Sequence, residues 1–291
     1  MPAAPRTGLH RLRQRPWLVV LVYAVHLIAA FALAALAGSA LEAAVGTTGF
    51  SDALAADFDI GLWTNVLEKA GPTIGLLFLN LLWVLPLMML WKVIVSVGLI
   101  HALGGAADGS FWRGVKRHTG RGLLLALLFA LPLVGWLVAV GVAGAVLNAL
   151  GDGEVFFFWA NLVVLPTLLI AGLAVLDLMH DCARIALVTG EAKTTRAWRS
   201  GMERPFRQGE ISYVYLAWFA PAALLWIAPF FLDASVAGTT ASGIWGLFAA
   251  QQITLLLRAA TVVGWLGSAV AFFEEYPQRE PETSVEMAAV A

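Results

Sequence analysis

Residues 155–176 read VFFFWANLVVLPTLLIAGLAVL, and their reading decides the fold. The stretch contains no Asp, Glu, Lys or Arg. As an α-helix it is long enough to cross the roughly 30 Å hydrocarbon core of a bilayer. Its apolar residues do not alternate, which sets it apart from the strands of a β-barrel. Five further stretches are comparably apolar: Trp17–Ala37, Pro72–Gly98, Gly122–Leu150, Ile211–Leu232 and Ser242–Val263. The expectation is an all-α polytopic transmembrane bundle of six spans, occupying residues 17–275.

Composition supports this reading. Of 291 residues, 60% are hydrophobic and 13% are charged, about half the roughly 25% usual for a soluble globular domain. That balance excludes a disordered chain, a collagen-like chain and a small disulfide scaffold. The formal net charge of −1 gives no reason to expect a nucleic-acid partner. A single cysteine, Cys182, permits no intramolecular disulfide and reads as a packing residue. The apolar run after Arg6, Arg11, Arg13 and Arg15 is longer than the roughly 7–15 residues of a signal-peptide core. It is expected to remain as the first span.

The placement of Lys and Arg predicts the orientation. Basic residues collect in the tail 1–16 and in two connections, about 104–121 and 189–210. The connections on the opposite side hold Lys69 against eight acidic residues. Both termini are therefore expected in the cytoplasm of a bacterial cell, with the protein in the inner membrane. Residues 276–291 form an acidic tail, expected to be disordered. Phe50, Leu54, Phe58, Leu62 and Val66 recur every four residues, which predicts an amphipathic helix over about 50–70 on the outer side.

The two basic connections resemble each other. Phe111-Trp112-Arg113-Gly114-Val115-Lys116-Arg117 precedes span three, and Ala197-Trp198-Arg199-Ser200-Gly201-Met202-Glu203-Arg204 precedes span five. A looser copy, Arg11-Leu12-Arg13-Gln14-Arg15-Pro16-Trp17, precedes span one. Tryptophan favours the headgroup level and arginine favours anionic lipid of the inner leaflet. Trp112, Arg113, Arg117, Trp198, Arg199 and Arg204 are the candidate headgroup contacts. The pattern allows three repeated units, each a basic segment followed by a helical hairpin. It also fits a general tendency of cytoplasmic loops to collect such residues.

Charges at depth are costly and mark candidate sites. The even-numbered spans each reach a charge after about 20 residues: Lys92, Asp177 and Arg258. Asp177, His180, Asp181 and Arg184 fall at helical spacings on one face. Asp177 or Asp181 is expected to pair with Lys92, Arg184 or Arg258, with Gln252 adding a polar contact. The pairing could be a structural lock or a proton or substrate site. His26, inside span one, is expected to bond to a neighbouring backbone carbonyl or hydroxyl.

The sequence holds no zinc-protease, nucleophile-elbow, Walker A or dinucleotide fingerprint. Asp177, His180 and Asp181 lack an obvious fourth ligand, so neither a metal nor a cofactor is expected. The stretch Asp181-Cys182-Ala183-Arg184-Ile185-Ala186-Leu187-Val188, followed by Arg196-Ala197-Trp198-Arg199-Ser200-Gly201, resembles an element of uncharacterised bacterial six-pass inner-membrane proteins. That group is related in layout to the membrane domain found fused to glycerophosphodiester phosphodiesterases. Gly104-Gly105 before Phe111, and Gln252 with Arg258, are similar to the same group. The resemblance implies an inner-membrane bundle with no assigned reaction, and the chain carries no phosphodiesterase domain. The expected function is a non-enzymatic scaffold, assembly or accessory module that meets a membrane-protein partner. The alternative is a transporter or lipid-handling protein with a polar site near the inner ends of spans two, four and six.

Overall fold

A computed structural model describes residues 4–45, 84–104, 109–151, 153–190, 193–235 and 241–276. The described residues are helical, with no strand among them. The helices are α1 (Ala4–Gln14), α2 (Trp17–Val45), α3 (Val84–Leu103), α4 (Phe111–Leu150), α5 (Glu154–Phe158), α6 (Leu165–Thr189), α7 (Thr194–Arg207), α8 (Gly209–Ser235) and α9 (Ala241–Glu275). A π-helical segment, Trp159–Val164, joins α5 to α6. Five helical stretches are long and apolar enough to cross a membrane: Trp17–Ala35, Phe111–Leu150, Val155–Thr189, Gly209–Pro229 and Trp245–Glu275. They suggest a membrane-embedded helix bundle. The expected span 72–98 is described only from Val84 onward, where a shorter apolar helix runs Leu87–Leu103. The expected amphipathic helix at 50–70 and the acidic tail beyond Tyr276 lie outside the described residues.

The breaks between helices have local causes. Pro16 disfavours helix at the preceding Arg15, which separates α1 from α2. Gln208 leaves helical geometry at φ −122° and ψ 74°, which separates α7 from α8. Gly153 takes φ 108° in the turn between α4 and α5, a conformation that glycine adopts without strain. Pro166 supplies no N–H to the carbonyl four residues earlier, and the π-helical segment directly precedes it. Asn148 and Asn161 exchange side-chain amide bonds of 3.4 and 2.8 Å there, tying α4 to the π-helical segment.

The basic stretch before Gly122 lies on α4, which runs through it without a break. At 1.5 Å per residue its 40 residues extend about 60 Å, twice the core thickness. The last helix likewise runs past the expected Val263 to Glu275.

The chain divides into two compact units: Val20–Lys92, and Met1–Val19 with Val93–Ala291. In the first, His26 Nδ1 donates to Val22 O at 2.7 Å, as the sequence led one to expect. In the second, the packing concentrates at the ends of the helices that carry the basic residues. Residues 181–188 of α6 and 263–270 of α9 are buried on every face. A helix buried all round is a core helix. Amphipathic helices sheathe these two: α7 lies along α6, and α1 lies along α9. Both lay a face of small and apolar residues inward, with Arg6, Arg13, Arg196, Arg199 and Arg207 outward and Arg11 and Arg204 turned inward.

Three glycines let neighbouring helices approach closely. A Cβ on Gly8 would lie 2.6 Å from Gly264 O and would overlap the Ser268 side chain. On Gly114 it would lie 3.1 Å from Val97 O and overlap His101 Cβ. On Gly201 it would lie 2.5 Å from Met179 O and overlap Ala183 Cβ. Each glycine thus sits on a backbone oxygen and on the side chain four residues later. Each also precedes an arginine by three residues: Gly8…Arg11, Gly114…Arg117 and Gly201…Arg204.

Candidate functional site

The inner half of α6 presents Asp177, His180, Asp181 and Arg184, and the packed end determines what each can do. Asp181 and Arg184 are 6% and 2% exposed. Arg184 Nη2 donates to Asp181 Oδ1, one helical turn away. The other carboxylate oxygen, Oδ2, accepts the Trp265 indole N–H of α9 at 2.6 Å. Both oxygens are therefore engaged. Breaking such a buried pair by removing one partner typically costs about 3–5 kcal/mol.

Asp177 lies one turn further from the packed end. Its Oδ2 accepts the Tyr215 hydroxyl of α8 at 3.4 Å. The Tyr215 ring stands edge-on to Trp265 at 5.0 Å and stacks on Phe219 at 5.5 Å. Thus α8 and α9 close together over the acidic face of α6. A second bond fixes their register: Trp218 Nε1 donates to Ser268 Oγ at 2.9 Å, and Ser268 Oγ donates to Gly264 O. Cys182, wholly buried, is a free thiol packed among these helices.

The other expected members of the polar group lie elsewhere. His180 faces Phe129 of α4, with ring centroids 4.6 Å apart, and Phe129 in turn meets Trp198 edge-on. Arg258 lies two turns from Trp265 along α9, and its guanidinium stands 4.0 Å over the Trp226 ring. Gln252 is half-buried on α9. Lys92 belongs to the other unit. Of the seven residues, the structure brings together Asp177, Asp181 and Arg184. It adds Tyr215, Trp265 and Trp226, which sequence reasoning missed. Their partners are 32 and more positions away, and no sequence spacing records such pairings.

The candidate headgroup contacts also divide. Trp112 is 69% exposed, and Arg113, Arg117 and Arg199 are exposed beside it on the same basic end. Arg199 Nε bonds Glu203 at 2.7 Å, which holds the Glu203 carboxyl below its usual range. Trp198 is half-buried, with its indole N–H enclosed and unmatched among the described residues. Arg204 is buried. It donates to Tyr276 O and to Gln208 Oε1, and lies 3.7 Å over the Phe273 ring. Burial lowers its pKa from the ordinary value, but a guanidinium keeps its charge. Arg204 is thus a tie from α7 to the end of α9. Arg11 makes a matching tie from α1, donating to Leu103 O at 2.9 Å and to Glu274.

Among the described residues no three His, Cys, Asp or Glu side chains converge as a metal would require. An apolar cavity of about 460 Å³ lies between α4 and α6, lined by Pro132, Trp136, Leu168, Gly172 and neighbours. No family model, curated protein or solved structure matches the chain.

Proposed function

We propose that the protein is a six-pass protein of the bacterial inner membrane, with both termini cytoplasmic, acting as a non-enzymatic scaffold or accessory module. The observation that carries this reading is how the buried charges are used. Asp181 is fully committed to Arg184 and Trp265, and Arg11 and Arg204 tie helix ends together. Charges spent on such ties hold a shape; they do not carry a substrate through it. The cavity between α4 and α6 is apolar, as suits contact with a partner helix or lipid.

Three repeated units fit the same picture, with the repeat set by glycine and not by the Trp-Arg dipeptide. Gly-Leu-His-Arg at 8–11, Gly-Val-Lys-Arg at 114–117 and Gly-Met-Glu-Arg at 201–204 occupy like positions against α9, α3 and α6. The long helices, extending well beyond 30 Å, would carry the packed basic end out of the inner leaflet. Exposed Trp112, Arg113 and Arg199 would meet anionic lipid there.

Purification in mild detergent with mass spectrometry of co-purifying proteins tests the scaffold reading. A stoichiometric membrane-protein partner is expected, and repeated recovery of an isolated monomer overturns it. Labelling of single cysteines at Thr195 and Gly153 in sealed vesicles tests the orientation, with buried Cys182 as a silent background. A lipid-handling role is the second reading, favoured by the environment of Arg258.

A further inference from the structure

Arg258 stands thirteen residues past Trp245, or about 20 Å along α9. Tryptophan favours the membrane interface, so Trp245 marks one edge of the hydrocarbon core. A core about 30 Å thick then ends roughly 10 Å beyond Arg258, near the start of the packed end, where a long arginine side chain can snorkel toward the headgroup level. A cation at that level needs compensation. Asp181 and Arg184 compensate each other. For Arg258, no carboxylate, carbonyl or amide among the described residues accepts any of its N–H donors. The Trp226 ring at 4.0 Å covers one face of the guanidinium. Trp226 itself is 61% exposed, and Arg258 is half-exposed.

Stacking on an aromatic ring occupies the face of a guanidinium and leaves its edge donors directed outward in a planar fork. That fork matches two oxygens of a phosphate. Leu224, Ile227 and Leu257 flank the opening with exposed apolar surface suited to acyl chains. We infer that Arg258 and Trp226 form a site for the phosphate of an anionic phospholipid that enters sideways from the membrane. The inference rests on membrane embedding alone, and holds whether or not the protein is a scaffold.

The test uses the full chain in nanodiscs of phosphatidylcholine with and without phosphatidylglycerol, with native mass spectrometry to count retained lipid. The wild type should retain phosphatidylglycerol in preference to phosphatidylcholine. Arg258→Gln should lower that retention about tenfold, and Trp226→Leu by a smaller factor of about three to ten. Arg258→Lys keeps the charge without the fork and should fall between. Equal retention of both lipids by the wild type overturns the site, whatever the variants do. Unchanged retention in a folded Arg258→Gln protein also overturns it. Displacement of the lipid by inorganic phosphate would mean a site for free phosphate, and would overturn it too. So would loss of an acidic protein partner, in place of lipid, from Arg258→Gln. A wild type that holds the lipid but no partner protein keeps this site and sinks the scaffold reading.

Discussion

The two ends of the long helices are built differently. At the basic end, residues 181–188 and 263–270 are buried on every face, and glycines admit the neighbouring backbone. At the other end contact is patchier: Asn148 meets Asn161 and Gly172 meets Trp136, but much of the helix surface faces outward. Gly135, Gly141 and Gly246 have nothing within 4 Å of where a Cβ would lie, and Leu131 and Leu150 are over 70% exposed. The physical reason is the solvent. Lipid tails are as apolar as leucine, so helices within them gain little by excluding lipid. Where helices leave the lipid, water drives apolar surface together and exposed backbone must be covered. On the proposed placement, with the basic end outside the lipid, the tight end is where a soluble protein's rules would apply.

The sharpest way to break this contrast is Asp181→Leu, which leaves Arg184 buried without its partner. A loss of about 3–5 kcal/mol is expected in detergent unfolding followed by tryptophan fluorescence. Adding Arg184→Leu should restore most of it, since a well-packed apolar pair replaces the ion pair. A double variant as unstable as the single one would show that the pair does more than satisfy itself.

Next in size is Gly201→Val, which drives a branched side chain into Met179 O and Ala183. About 1–3 kcal/mol of destabilisation is expected from overpacking, and Gly8→Val should behave alike. The matching change at the other end, Gly135→Ala, meets open space and should stabilise by about 0.5–1 kcal/mol through helix propensity. Equal melting temperatures for Gly201→Val and Gly135→Ala would erase the contrast between the ends.

The smallest effect concerns pH. Arg199 holds the carboxyl of exposed Glu203 below its usual range. Its contribution is therefore present above the unfolded pKa and lost as pH falls through the depressed folded one. Both groups are exposed, so acid melting curves of Glu203→Gln and the wild type should differ only slightly, and less in high salt.

Much of this was legible in the sequence. The apolar runs located the helices, and the one-turn spacing of Asp181 and Arg184 anticipated their pairing. The continuity of α4 through Arg113–Arg121 was not legible, because a cluster of basic charges ordinarily marks a connection. The partners of Asp181 and Arg258 were not legible either. Trp265 and Trp226 look like any of the chain's 12 tryptophans until the register of α8 and α9 selects them. The three packing glycines are hidden among 28, since membrane helices use glycine freely. Their shared spacing to an arginine is visible only once the contacts show which glycines to compare.

The docking of α1 along α9 has a consequence for biosynthesis. The ribosome makes α1 before every other helix described here, and α9 after them all. Until α9 is delivered, the face of α1 that would cover Gly264 and Ser268 has nothing to lie on, and Arg11 lacks Glu274. The tight end is therefore completed only when the last helix arrives. A chain interrupted before Ala241 would hold α1 only at its end, through Arg11 on Leu103 O and Arg15 on Gly109 O, with its main face uncovered.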